Sequence, residues 1–123
     1  YATGDNGYGQ LGNGTTDTVT AWTQVATGVS SVMTWERHSL YLASSGVLYG
    51  TGSNGMGELG DGTMTNTTAW AQVATGVAYA ALGPYRSYYV SNSGLLYGTG
   101  WNSYGQLGDG TTTNAGAWVQ VAG

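Results

Sequence analysis

The phrase Tyr49-Gly50-Thr51-Gly52-Ser53-Asn54 decides the reading of this chain, because it occurs three times. It stands earlier as Tyr1-Ala2-Thr3-Gly4-Asp5-Asn6 and later as Tyr97-Gly98-Thr99-Gly100-Trp101-Asn102. The spacing is 48 residues both times, and Leu11, Leu59 and Leu107 keep that register without a gap, as do Trp22, Trp70 and Trp118. A fixed period of this size is the mark of a repeat architecture. The chain divides into a partial repeat, 1–27, and two full repeats, 28–75 and 76–123.

One period accommodates four short strands and their turns. In the first full repeat, residues 29–35 read as strand A and the alternating run 38–43 as strand B. Ser44-Ser45-Gly46 supplies a hairpin turn, 47–51 reads as strand C, and 70–74 as strand D after a long Gly/Asn/Asp/Thr loop over 53–68. The partial repeat holds only the C and D strands. Nothing reads as an amphipathic helix. Four antiparallel strands per unit, repeated radially, is the plan of a β-propeller blade. The fold class expected is therefore all-β, about two and a half blades of one propeller domain.

Beyond the opening phrase, Gly57-Glu58-Leu59-Gly60-Asp61-Gly62-Thr63 is matched by Gly105-Gln106-Leu107-Gly108-Asp109-Gly110-Thr111. With Leu48 ahead of Tyr49, Val25-Ala26 through Val29, and His38-Ser39-Leu40, this pattern resembles the regulator-of-chromosome-condensation repeat, in a bacterial-like version. The resemblance covers essentially the whole chain. It implies a propeller of about seven four-stranded blades used as a binding scaffold. It also makes His38 a structural position near the blade interior. The chain departs from the pattern where small residues usually precede His-Ser: Met33-Thr34-Trp35-Glu36-Arg37 stands there, and in the next unit Arg86 replaces the His. Since both ends cut across the repeat, the chain is expected to be a segment of a longer polypeptide or part of a homo-oligomeric ring, with further blades supplied from one or the other.

Composition excludes several classes. Among 123 residues there are 23 Gly, one Pro, no Cys, no Phe, ten Tyr and five Trp. Arg37 and Arg86 are the only basic side chains against six acids, for a net charge of −4. Phosphate-directed nucleic-acid binding needs clustered Lys or Arg, so nucleic acid is not an expected partner. Disulfides, Cys-ligated metals and a His-rich metal site are out, and no cofactor is expected. No apolar run approaches the ~20 residues of a membrane helix, so no membrane insertion is expected.

Several motifs have bland explanations that outweigh sharper ones. Gly7-Tyr8-Gly9-Gln10-Leu11-Gly12 and Gly55-Met56-Gly57-Glu58-Leu59-Gly60 fit G-x-G-x-x-G, but no helix can follow them to receive a pyrophosphate. Asp5, Asp61 and Asp109 read as turn formers, since calcium wants several converging carboxylates. His38, near Glu36 and Ser39, lacks a full nucleophile–base–orienter set, so no catalytic residue and no enzyme is expected. Asn13-Gly14-Thr15 and Asn66-Thr67-Thr68 match the glycosylation sequon, as chance allows in so Asn/Thr-rich a chain. Trp22, Trp70 and Trp118 read as blade packing; Tyr8, Met56 and Tyr104, at one repeated loop position, are weaker ligand-contact candidates.

Function is carried by what does not repeat. Between 30–38 and 78–86 every aligned pair differs, although flanking pairs such as Ser39/Ser87 and Tyr41/Tyr89 are identical. The stretch concentrates both Arg residues, the only His and the only Pro. Variable loops on a uniform frame are where binding residues gather, and Trp, Tyr and Arg dominate binding hot spots. The candidate ligand-binding residues are Thr34, Trp35, Glu36, Arg37, His38, Leu82, Pro84, Tyr85 and Arg86. They define a recognition module for a protein or carbohydrate ligand. Composition is similar to that of bacterial or phage surface adhesins, which makes an extracellular or cell-surface setting the expectation. The alternative is a purely structural repeat that tiles a fibre, a sheath or a ring.

Overall fold

The computed structural model describes residues 1–122. β1 (Ala2–Gly4) and β2 (Val19–Thr23) form a two-stranded antiparallel sheet. β3 (Val29–Thr34), β4 (His38–Ala43), β5 (Leu48–Gly52) and β6 (Thr67–Ala74) form a four-stranded sheet in sequence order. β7 (Val77–Gly83), β8 (Arg86–Ser91), β9 (Leu96–Gly100) and β10 (Ala115–Ala122) form a second with the same order. Each four-stranded sheet is an antiparallel meander with its strands in blade positions A to D, and no helix occurs among the described residues.

Strand D starts earlier than its residues announce: Thr67 already pairs with Gly52, so β6 begins within the Thr-rich stretch. Strand A stops at Thr34, because the Trp35 amide turns to the His38 carbonyl at 3.0 Å and closes the hairpin. The Ser44-Ser45-Gly46 turn is held by Gly46 N–H donating to Ala43 O at 3.0 Å.

The core runs through the joint between the two blades. Leu40, Leu42 and Leu48 of the first pack with Val77, Ala80 and Tyr89 of the second, and with Leu59 from the first C–D loop. Each blade carries an aromatic trio across its B, C and D strands. Tyr41 stacks on Tyr49 at 4.9 Å and meets the edge of Trp70 at 4.8 Å; Tyr89, Tyr97 and Trp118 repeat this at 4.8 Å for both contacts. Trp22, at the same repeat position, is 72% exposed on a two-stranded sheet that has no counterpart of Tyr41.

The long C–D loop of each unit lies on the next blade rather than on its own. Thr51 donates its hydroxyl to Gly9 O at 2.8 Å, and Thr99 donates to Gly57 O at 2.7 Å. The backbone bridges Asn13 to Ala69 and Asp61 to Ala117. Gly60, at φ +71, sits on the Trp118 indole, where an added Cβ would stand 2.5 Å from the ring; Gly12 sits likewise on Trp70. Only glycine meets both demands, positive φ and flat contact with an indole.

The loops are held in shape from within by a buried Asn. Asn54 Nδ2 donates to Asp61 Oδ1 at 3.0 Å and to the carbonyls of Thr63 and Thr65 at 3.1 Å, while its Oδ1 accepts from Leu59 N at 2.9 Å. Asn102 makes the same set, and Asn6 a close variant through Asn13. The carboxylate of Asp109 is held below its ordinary value by the Thr111 amide and hydroxyl, with Asn102 adding to the effect. These Asp side chains are therefore spent on bracing their own loops.

Candidate recognition face

The turns that join A to B strands differ in build. Residues 35–37 form a three-residue connection, whereas Gly83 pairs directly with Arg86, leaving Pro84 and Tyr85 as a two-residue hairpin. Tyr85 has φ 56 and is the one non-glycine residue in the positive-φ region among the described residues. Pro followed by a positive φ is the backbone pattern of a type II turn, whose third position normally takes Gly or Asn. The strain is held in place by tertiary contacts: Trp101 N–H donates to Tyr85 O at 2.8 Å, and the Trp101 ring meets Tyr85 edge-on at 6.3 Å.

That turn brings Tyr85 against Arg37 of the preceding blade. The Arg37 guanidinium lies 4.9 Å from the Tyr8 ring and 5.7 Å from the Tyr85 ring. A continuous row results, Tyr8, Arg37, Tyr85, Trp101 and Tyr104, the last two rings 5.6 Å apart edge-on. The row draws on both A–B turns and on two C–D loops. Tyr104 is 83% exposed at its open end.

Beside the row, Trp35, Glu36, Arg37, His38, Pro84 and Tyr85 line a crevice of about 140 Å³. Trp35 and Glu36 are exposed, Arg37 and Tyr85 half-buried. Gln10 fixes the back of the first turn by donating to Glu36 O at 3.0 Å. In the next unit Glu58 stands at the Gln10 position and cannot donate, and Arg86 takes over the task, with Nη1 donating to Pro84 O at 3.3 Å.

Of the residues singled out in the sequence, His38 is buried, so it forms the floor of the crevice rather than a loop contact. It meets Ser87 Oγ at 3.2 Å, and Ser87 donates to Glu58 O at 2.6 Å. With the Ser87 proton committed, the His38 Nε2–H is the donor. Burial pushes the His38 pKa down, against opposing effects from Glu58 and a backbone hydrogen bond to Arg86. Leu82 packs on the core, and Arg86 folds back onto its own turn. Thr34 faces a different and larger cavity, of about 430 Å³, between the two-stranded sheet and the first blade. Val29 and Val32 line that cavity, while their counterparts Val77 and Ala80 are buried against Leu40, Leu42 and Leu48.

Sequence reading missed Trp101 and gave Tyr8 and Tyr104 too little weight. Trp101 carried a signal: it stands in the third copy of the opening phrase where the first two have Asp5 and Ser53. The strain at Tyr85 carried none, since a Tyr after Pro reads as an ordinary turn.

The sheets and their packing have the fold of RCC1-like β-propeller blades. Known structures share this fold. Human WBSCR16 superposes with a TM-score of 0.81 at 20% identity, over 96% of this chain and 32% of its own. Prp20p from Saccharomyces cerevisiae, described with its binding to Gsp1p and histones, gives 0.80 at 19% identity, over 96% and 33%. Yeast RCC1 (Prp20) bound to Kap60 gives 0.80 at 20% identity, over 98% and 32%. The chain thus spans about a third of the length of these propellers. No family model and no curated protein sequence matches it.

Proposed function

We propose that the chain is a non-enzymatic recognition module that binds a protein or carbohydrate ligand on the face carrying the A–B turns. The row from Tyr8 through Arg37, Tyr85 and Trp101 to Tyr104 carries this reading, since it joins five side chains from four separate segments. Rigid aromatic rings supply contact area at small entropic cost, and a guanidinium stacked on them keeps its donors at the edge. That solved structures of similar propellers are described with protein partners, Gsp1p, histones and Kap60, supports a protein ligand. Low charge and abundant Thr, Asn and Tyr support an extracellular or cell-surface setting of adhesin type. Screening the labelled chain on protein and glycan arrays tests the reading. Retained ligands should be lost with Trp35→Ala and with Tyr85→Ala; ligands that survive both substitutions overturn it.

The second reading is a purely structural repeat, and it has a definite pair of surfaces to act through. The loop over 101–114 has open space at Gly108, where Gly12 and Gly60 meet an indole. Trp22 is an indole without a glycine partner, and Thr3 donates only to Val19 O, at 2.7 Å, where Thr51 and Thr99 also reach a loop carbonyl. These are the two halves of the joint that recurs inside the chain. Further blades of a longer polypeptide would meet them, and so would neighbouring copies tiling head to tail.

A further inference from the structure

We propose that the crevice takes a carboxylated sugar, its carboxylate on the Arg37 guanidinium and its hydroxyls on Glu36. The inference rests on the recognition reading above and names the ligand class of that face. Among the described residues the Arg37 guanidinium is placed by two ring faces alone, whereas Arg86 spends a donor on Pro84 O. Stacking constrains the plane of a guanidinium and leaves its N–H fork directed along the edge, where it fits a carboxylate with two hydrogen bonds. The walls beside it, Trp35, Pro84 and Tyr85, are flat and apolar, suited to the C–H face of a ring. The volume, about 140 Å³, holds one small ring rather than a peptide segment.

Glu36 decides between the two sources of a carboxylate. Its exposed side chain lines the same crevice and offers carboxylate oxygens as hydrogen-bond acceptors. An acidic side chain brings a negative charge and no hydroxyl donors beside it. A carboxylated pyranose brings hydroxyl donors with its charge. An apolar wall, one cation and one acceptor are the few well-placed polar groups that a small-molecule site needs.

The chain holds only two Arg residues, so an NMR spectrum of Arg Nε–Hε groups contains two side-chain signals to assign. Titration with glucuronate should move the Arg37 signal saturably and leave Arg86 in place. Glucose, which carries CH2OH in place of the carboxylate, should move neither. Arg37→Gln should weaken glucuronate at least about tenfold, the loss expected for a charge-assisted pair, and Glu36→Gln should weaken it by less. An equal response to acetate, or a tighter one to acetyl-glutamate amide, overturns the sugar assignment. So does silence of Arg37 towards glucuronate. If Arg37 is silent while array ligands still depend on Trp35 and Tyr85, the carboxylate assignment fails and the recognition face stands. If both tests are negative, both readings fail.

Discussion

At the scale of single residues, His38 is the clearest case of burial acting on chemistry. Its pKa lies below the ordinary 6.5 because burial disfavours the charged ring. The unfolded chain therefore takes up a proton at a higher pH than the folded one. Stability is complete above 6.5 and is lost as pH falls from there toward the folded-state value. The urea midpoint should drop between about pH 7 and pH 5. His38→Gln should lower the midpoint at neutral pH yet remove this acid step; a wild-type midpoint that stays flat across the range contradicts the account. Asp109, held low by Thr111 and Asn102, adds a separate loss at more acid pH. Gly60 gives a second residue-scale prediction. Gly60→Ala and Gly108→Ala both force a side chain into positive φ, but only the first drives a Cβ into an indole. Strain alone costs about 1 kcal/mol and overpacking adds roughly 1–3 more. Thermal melts should therefore show Gly60→Ala as clearly the worse.

At the scale of elements, the paired blades offer an internal control. The Trp118 Nε1–H donates to Val73 O at 3.0 Å, whereas Trp70 Nε1 is buried without a partner. Trp→Phe removes the same ring volume at either site. Trp118→Phe should then cost about 1–2 kcal/mol more than Trp70→Phe in denaturant unfolding, because it also strands a carbonyl while the other relieves an orphaned donor. Equal losses would show that the hydrogen bond contributes nothing.

Much at this scale was legible beforehand. Period, alternation and turn residues gave the four strands of the first full repeat to within a few positions, because these are local signals. The ends of strands A and D were not, since Thr67 becomes strand only by pairing with Gly52. The candidate site was half legible. Trp35 through Arg37 and Pro84-Tyr85 stood out by breaking the repeat. The family resemblance had His38 near the blade interior, but nothing local tells that Leu82 and Arg86 turn inward, or that Tyr8 and Trp101, far away in sequence, complete the row.

At the scale of the whole molecule, a surface with few charged side chains sets behaviour. A chain with two Arg, no Lys and a net charge of −4 has little long-range field to steer a partner. Binding on the aromatic face should thus lose no more than the share of one screened ion pair at Arg37 as NaCl is raised, and a salt dependence steeper than that would point to another surface. The exposed Trp22 and the open loop over 101–114 are the surfaces through which the structural reading has copies associate. Light scattering across protein concentration should show larger species for the wild type than for Trp22→Ser; identical profiles remove the structural reading.

The docking of each C–D loop on the following blade puts the unit of heredity out of phase with the unit of packing. A loop encoded with one blade belongs spatially to its successor, as Gly57 and Leu59 do with Thr99 and Tyr89. A deletion or duplication of one whole period therefore splices a familiar loop onto a familiar blade, wherever the breakpoints fall. In genetic terms, recombination between copies can lengthen or shorten the array while keeping this joint, and what would be shuffled in the exchange is the set of positions that differ between copies, 30–38 against 78–86 and loop positions such as Asp5, Ser53 and Trp101.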